Sequence, residues 1–115
     1  MSTTSFANTP RPPYYAVIFS SQRTPTGQAD YDAAANWMFE LVQLQPGFLG
    51  VESTRDANGF GITVAYFDSE ENIRRWRNHD DHTATRERGK REWYDHFEVR
   101  VARVERAYNG PRRQA

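Results

Sequence analysis

The sequence predicts an α+β domain of order β-α-β-β-α-β, a ferredoxin-like unit with a four-stranded antiparallel sheet. Four short runs rich in aromatic and β-branched residues alternate with two stretches of helical periodicity. An Asn-Gly pair joins the middle two runs, and 115 residues leave room for one core only.

Residues 1–13 are rich in Ser, Thr, Asn and Pro with Phe6 as the one large apolar side chain, which predicts a flexible tail. Residues 14–21 (YYAVIFSS) form a continuous apolar run, as expected of a central strand covered on both faces. Pro25 and Gly27 then interrupt regular structure. Asp30 can cap a helix over 31–45, in which Ala34, Trp37, Met38 and Leu41 follow the spacing of one buried face. Pro46-Gly47 ends it.

Residues 48–55 and 60–67 read as antiparallel strands joined by Asp56-Ala57-Asn58-Gly59. In the second, Ile62, Val64 and Tyr66 alternate with Thr63, Ala65 and Phe67; neither set is charged, so both faces look covered. Asp68 and Ser69 are candidate caps for a helix carrying Ile73 and Trp76, with Glu71 placed to complete a capping box. That helix should falter near His79, and Asp80-Asp81 can start a second piece that runs to Gly89. Residues 96–108 read as a long last strand, and 109–115 as a second tail. Helices on one side leave the other sheet face bare. Since the strands look apolar on both faces, the simplest cover is a second copy, which predicts a homodimer.

Fifteen basic and fifteen acidic residues cancel, so no net field favours nucleic acid or an anionic membrane. The absence of cysteine removes disulfides, thiolate catalysis and Cys-ligated metals. With no long apolar run and no signal-like start, a cytoplasmic location is the expectation. There is no Gly-rich phosphate loop, no G-x-S-x-G and no telling carboxylate pair, so hydrolases and nucleotide enzymes lack their parts.

The segment AYFDSEENIRRWRNHDDHTATRERGKREWYDHFEVRVARVERAY, preceded by QPGFLGVES, resembles the antibiotic biosynthesis monooxygenase domain family. Its sharpest stretch is the W-x-x-H-x-x-H of Trp76, His79 and His82, followed by Gly89 and Trp93-Tyr94; the likeness spans residues 14–108. The resemblance implies a dimeric α+β barrel, with a cavity between sheet and helices in each subunit that takes a small hydrophobic or aromatic ligand. One branch of the family oxidises anthrone- or quinol-type compounds with molecular oxygen and no cofactor. Another binds heme and opens its ring. Trp76 falls on the heme branch's pocket tryptophan, but Arg86 or a neighbour stands where that branch has its proximal histidine, and Ser21 or Gln22 where it has an asparagine. His79 or His82 would then have to replace that ligand. The expectation is no cofactor, with heme as the alternative; a non-catalytic small-molecule carrier is a third.

The residues admit both functional and structural readings. His79 and His82 lie three apart, yet two ligands do not complete a transition-metal site, and no metal is expected. Either can instead stabilise the helix break. His82 is the preferred base for a phenol or enol, since imidazole titrates near neutrality; His79 is the weaker candidate for the pocket wall. Trp76 suits core packing and a cavity wall alike. Trp93 and Tyr94 carry donors for a bound oxygen atom, or serve dimer contacts, and Tyr66 is a further candidate wall. Arg86 either faces solvent or stabilises an enolate or peroxide anion.

Overall fold

The computed structural model describes residues 5–113. Four strands, β1 (Tyr14–Arg23), β2 (Phe48–Arg55), β3 (Phe60–Phe67) and β4 (Tyr94–Val104), form one sheet in the order β2-β3-β1-β4. Every neighbouring pair is antiparallel. The helices are α1 (Gln28–Val42), α2 (Glu70–Arg77) and α3 (Asp80–Arg88), and a single π turn, Gly89–Trp93, leads from α3 into β4. The fold is the ferredoxin-like α+β arrangement with its second helix in two pieces.

Register assigns the faces. Val17 stands opposite Ala65 and Val101, and Phe19 opposite Thr63 and Val99, so these side chains share the face beneath the helices. The alternate set, with Ile18 opposite Val64 and Arg100, points to the bare face. Phe67 is fully buried and packs with Val42 and Trp76, joining sheet, α1 and α2 in one cluster. Burying a ring of that size contributes about 2–3 kcal/mol. On the bare face Phe60 and Ile62 stay 46% and 40% exposed. Near it the backbone amide of Ala7 donates to Glu52 at 3.0 Å, so part of the segment ahead of β1 is tied to β2.

Several local expectations shift. Helix α1 starts at Gln28 after Gly27, whose φ of 71° only glycine adopts freely. Its inward stripe runs through Ala34, Ala35, Met38 and Val42, leaving Trp37 half exposed. The β2–β3 loop places positive φ at Gly59 and not at Asn58; the Asp56 carboxylate accepts from the amides of Asn58 and Phe60 and holds a wider turn. Ser69, not Asp68, caps α2 by accepting from the Asn72 amide at 3.2 Å. The last strand begins at Tyr94, two residues ahead of the expected start, because the π turn delivers the chain to the sheet early.

Candidate functional site

Between the sheet and the helices lies a cavity of about 590 Å³. Its floor is the inward set of the strands: Val17, Phe19, Ala65, Val99 and Val101. Helix α1 covers one side through Ala35 and Met38, whose sizes leave space above the sheet. Val99 and Val101 line the cavity yet remain about half exposed, at 49% and 51%, so the opening runs along β4.

The helix break brings Trp76 and His82 together. Because α2 stops at Arg77 and α3 restarts at Asp80, residues six apart stack: the imidazole lies on the indole with centroids 4.2 Å apart and planes 9° from parallel. His82 Nδ1 sits 2.9 Å from the Trp76 carbonyl oxygen. A carbonyl can only accept, so Nδ1 carries the proton and donates, leaving Nε2 as the ring's acceptor, without a partner among the described residues. Burial, with smaller contributions from Arg86, His79 and Arg77, lowers the His82 pKa to about 4; the carbonyl bond opposes this. His82 is neutral at pH 7. It is a weaker base than an imidazole titrating near neutrality.

Arg86 also lines the cavity. One of its terminal nitrogens donates to the Arg77 carbonyl at 3.1 Å, and its Nε is buried with no hydrogen-bond partner among the described residues. Arg77 and Lys90 share the lining, and no Asp or Glu among the described residues does. The charged side chains of the lining are thus all cationic, with Lys90 paired to Glu87 at 3.2 Å.

Trp93 ends the π turn and Tyr94 opens β4, and both line the cavity wall. Trp93 is 3% exposed and lies edge-on to Tyr31, while the Tyr94 hydroxyl donates to the Tyr31 hydroxyl at 3.4 Å. Burial, then the neighbouring Tyr31, pushes the Tyr94 phenol well above its ordinary pKa; Arg55 and Arg23 oppose the shift without cancelling it. Tyr94 stays protonated, a donor and not a base.

Of the residues singled out from sequence, Trp76, His82, Arg86, Trp93 and Tyr94 share this cavity, and His79 and Tyr66 do not line it. His79 is the N-cap of α3, its Nδ1 accepting from the Asp81 amide at 3.2 Å. Tyr66 belongs to the opposite face: its inward neighbours are Ala65 and Phe67, and its hydroxyl donates to Glu52 at 2.6 Å. Burial and that carboxylate raise its pKa. Among the described residues no group of three or more His, Cys, Asp or Glu side chains is placed to hold a metal ion, and no helix is long and apolar enough to cross a membrane.

Sequence reasoning passed over Tyr31 and Arg55. Arg55, at the end of β2, lies across Gly61 of β3, where a side chain would collide with the guanidinium. It donates to the Ser21 hydroxyl at 2.8 Å, to the Tyr31 hydroxyl at 3.2 Å and to the carbonyls of Ser21 and Gly59. The signal was a glycine facing an arginine across the hairpin.

Residues 14–88 match the antibiotic biosynthesis monooxygenase family. The chain belongs to that family. An uncharacterized protein of Bacillus subtilis, YqjZ, is 51% identical over 100 residues, covering 87% of each chain. A conserved protein from Methanosarcina mazei superposes with a TM-score of 0.72 at 9% identity, over 81% of this chain and 94% of that one. SnoaB, a cofactor-independent oxygenase from Streptomyces nogalater, gives 0.70 at 10% identity, over 84% and 97%. The structural likenesses establish the shared fold; the strong sequence match is to a relative without an assigned reaction.

Proposed function

We propose that the protein is a cofactor-independent monooxygenase that oxidises a small aromatic or enolisable substrate with molecular oxygen. The observation that carries this reading is the His82 imidazole, neutral and fixed in one tautomer, with Nε2 left open in a mostly apolar chamber beside Arg86.

A substrate CH2 group activated by an aromatic or carbonyl neighbour loses one proton to His82 Nε2. The carbanion transfers an electron to O2, and the resulting radicals combine to form a C–O bond. The peroxide takes the proton back from His82. Loss of the second C–H proton then breaks the O–O bond, leaving a carbonyl on carbon and releasing water. One oxygen atom ends in the product and the other in water, so the substrate supplies all the electrons. An ordinary phenol near pKa 10 lies about six units above His82, an uphill transfer of about 8 kcal/mol. The reading therefore requires an acidic substrate or stabilisation of its anion by donors in the cavity wall. Oxygen uptake with a panel of quinols and anthrones tests it; no uptake above the protein-free rate with any of them would count against it.

A second reading rests on the same imidazole. Heme would be held through its iron by His82 and through its propionates by Arg86 and Arg77; the Nδ1 bond to a backbone carbonyl is the arrangement that orients a ligating histidine. Bound there, heme would supply oxygen activation at iron. Arg86 or a neighbour occupies the position that the resemblance gives to the proximal ligand, so titration with hemin should yield no sharp Soret band at one equivalent. A strong band abolished by His82→Ala would replace the first reading with this one.

Two copies pair through the bare sheet face in this proposal, where Phe60 and Ile62 remain exposed.

A further inference from the structure

We propose that Tyr31 is the hydrogen-bond donor to an anionic oxygen of the ligand, an enolate or phenolate, set in place by Arg55 and Tyr94 at the cavity's hairpin end. The inference rests on the cavity being the ligand site and names the chemical class it takes.

The hydrogen bonds at Tyr31 run one way. Arg55 donates to its oxygen at 3.2 Å and Tyr94 at 3.4 Å, so the Tyr31 proton has no acceptor among the described residues. Tyr31 and Tyr94 both line the cavity. A phenol that accepts from a guanidinium becomes a better donor itself, because the charged bond polarises its O–H.

Charge points the same way. Arg23 is 5% exposed, and its guanidinium lies 4.0 Å from the centre of the Tyr31 ring. It bonds to the carbonyls of Trp93 and Thr26 and to the Gln28 and Thr24 side chains, and its Nε has no partner among the described residues. Among the described residues Arg55 bonds only to neutral groups. Two guanidiniums thus flank one phenol, and neither makes an ion pair with a carboxylate among the described residues. A buried cation, Arg23, and a partly buried one, Arg55, neither with a counter-ion among the described residues, favour an anion brought in by the ligand. Arg55 acts through Tyr31 as a positioning residue.

The test uses 4-nitrophenol, whose phenolate absorbs at longer wavelength than its phenol, titrated with the full chain between pH 6 and 8, where His82 stays neutral. Tighter binding of phenolate than phenol by about ten-fold, seen as a downward shift of the bound probe's pKa, is the expected result. Tyr31→Phe keeps the ring and should remove most of that preference while the protein melts normally. Arg55→Lys, which retains a charge but not the fork, should weaken it. A preference that survives Tyr31→Phe but is lost in Arg86→Met would place the oxyanion at α3 and overturn the assignment. Equal affinity for the two forms, or binding of neither at millimolar probe, would overturn it too. Failed oxygen uptake with this preference intact would remove the oxygenase reading alone.

Discussion

The His82 imidazole lies flat on the Trp76 indole, 4.2 Å between centroids, and donates from Nδ1 to the carbonyl oxygen of that same tryptophan. One residue therefore fixes both the plane and the tautomer of the other. The stack exists only because α2 and α3 are separate pieces, with His79 capping the second.

Stability should depend on pH through this pair. The folded pKa of about 4 lies below the unfolded value near 6.5, so the unfolded chain takes up the proton first as pH falls. The His82 contribution is complete above about pH 6.5 and is lost progressively as pH falls to about 4, by about 3 kcal/mol in total. Urea unfolding of wild type and His82→Asn across this range should show the wild type losing more stability on acidification. Parallel curves would contradict the assignment.

His82→Ala should lower turnover on a verified substrate by about a hundred- to ten-thousand-fold, the range for loss of one positioned proton acceptor. His79→Ala should do less, since His79 does not line the cavity. Steady-state oxygen uptake compares them. Unchanged turnover in His82→Ala would take it out of the mechanism.

Gly47 has φ of 75°, and a Cβ there would collide with the side chains of Asp68 and Asn72 at the start of α2. Its carbonyl also accepts from the Asp68 amide at 2.9 Å. Gly47→Ala should cost about 1–3 kcal/mol through strain at that backbone conformation. Thermal melting measures it; a melting temperature equal to wild type would mean that α2 can move aside freely.

Light scattering at micromolar protein should give about twice the chain mass of 13.4 kDa. Ile62→Asp puts a charge on the bare face of β3 and should shift the mass toward one chain without reducing helix content. A wild-type mass of one chain would end the pairing proposal.

The order of elements was legible because strand runs, caps and breakers each left a local mark. Orientation was less so. In β3 both alternating sets are uncharged, so nothing in the sequence said that Ala65 and Phe67, not Tyr66, face the helices. In α1 two overlapping apolar stripes compete, and packing chose the one with Ala35 and Val42 over Trp37. Trp76, His82, Arg86, Trp93 and Tyr94 were singled out because the stretch that carries the family resemblance holds them, and the fold brings them to one cavity. Tyr31 and Arg55 were not, since a lone tyrosine early in a helix and an arginine at a hairpin look like ordinary surface until the hairpin folds over Gly61.

Arg55 holds Ser21 of β1, Gly59 of the hairpin loop and Tyr31 of α1 at once, and Tyr31 in turn meets Tyr94 at the start of β4. These groups come from separate stretches of chain, so the hydroxyl geometry at this end cannot precede the joining of strand, helix and hairpin. Partial opening of any one of them dissolves the arrangement while Phe67 and its neighbours can still be packed. Competence at this end is thus a property of the whole chain having folded, and under mild denaturant it should disappear before the bulk of the secondary structure does.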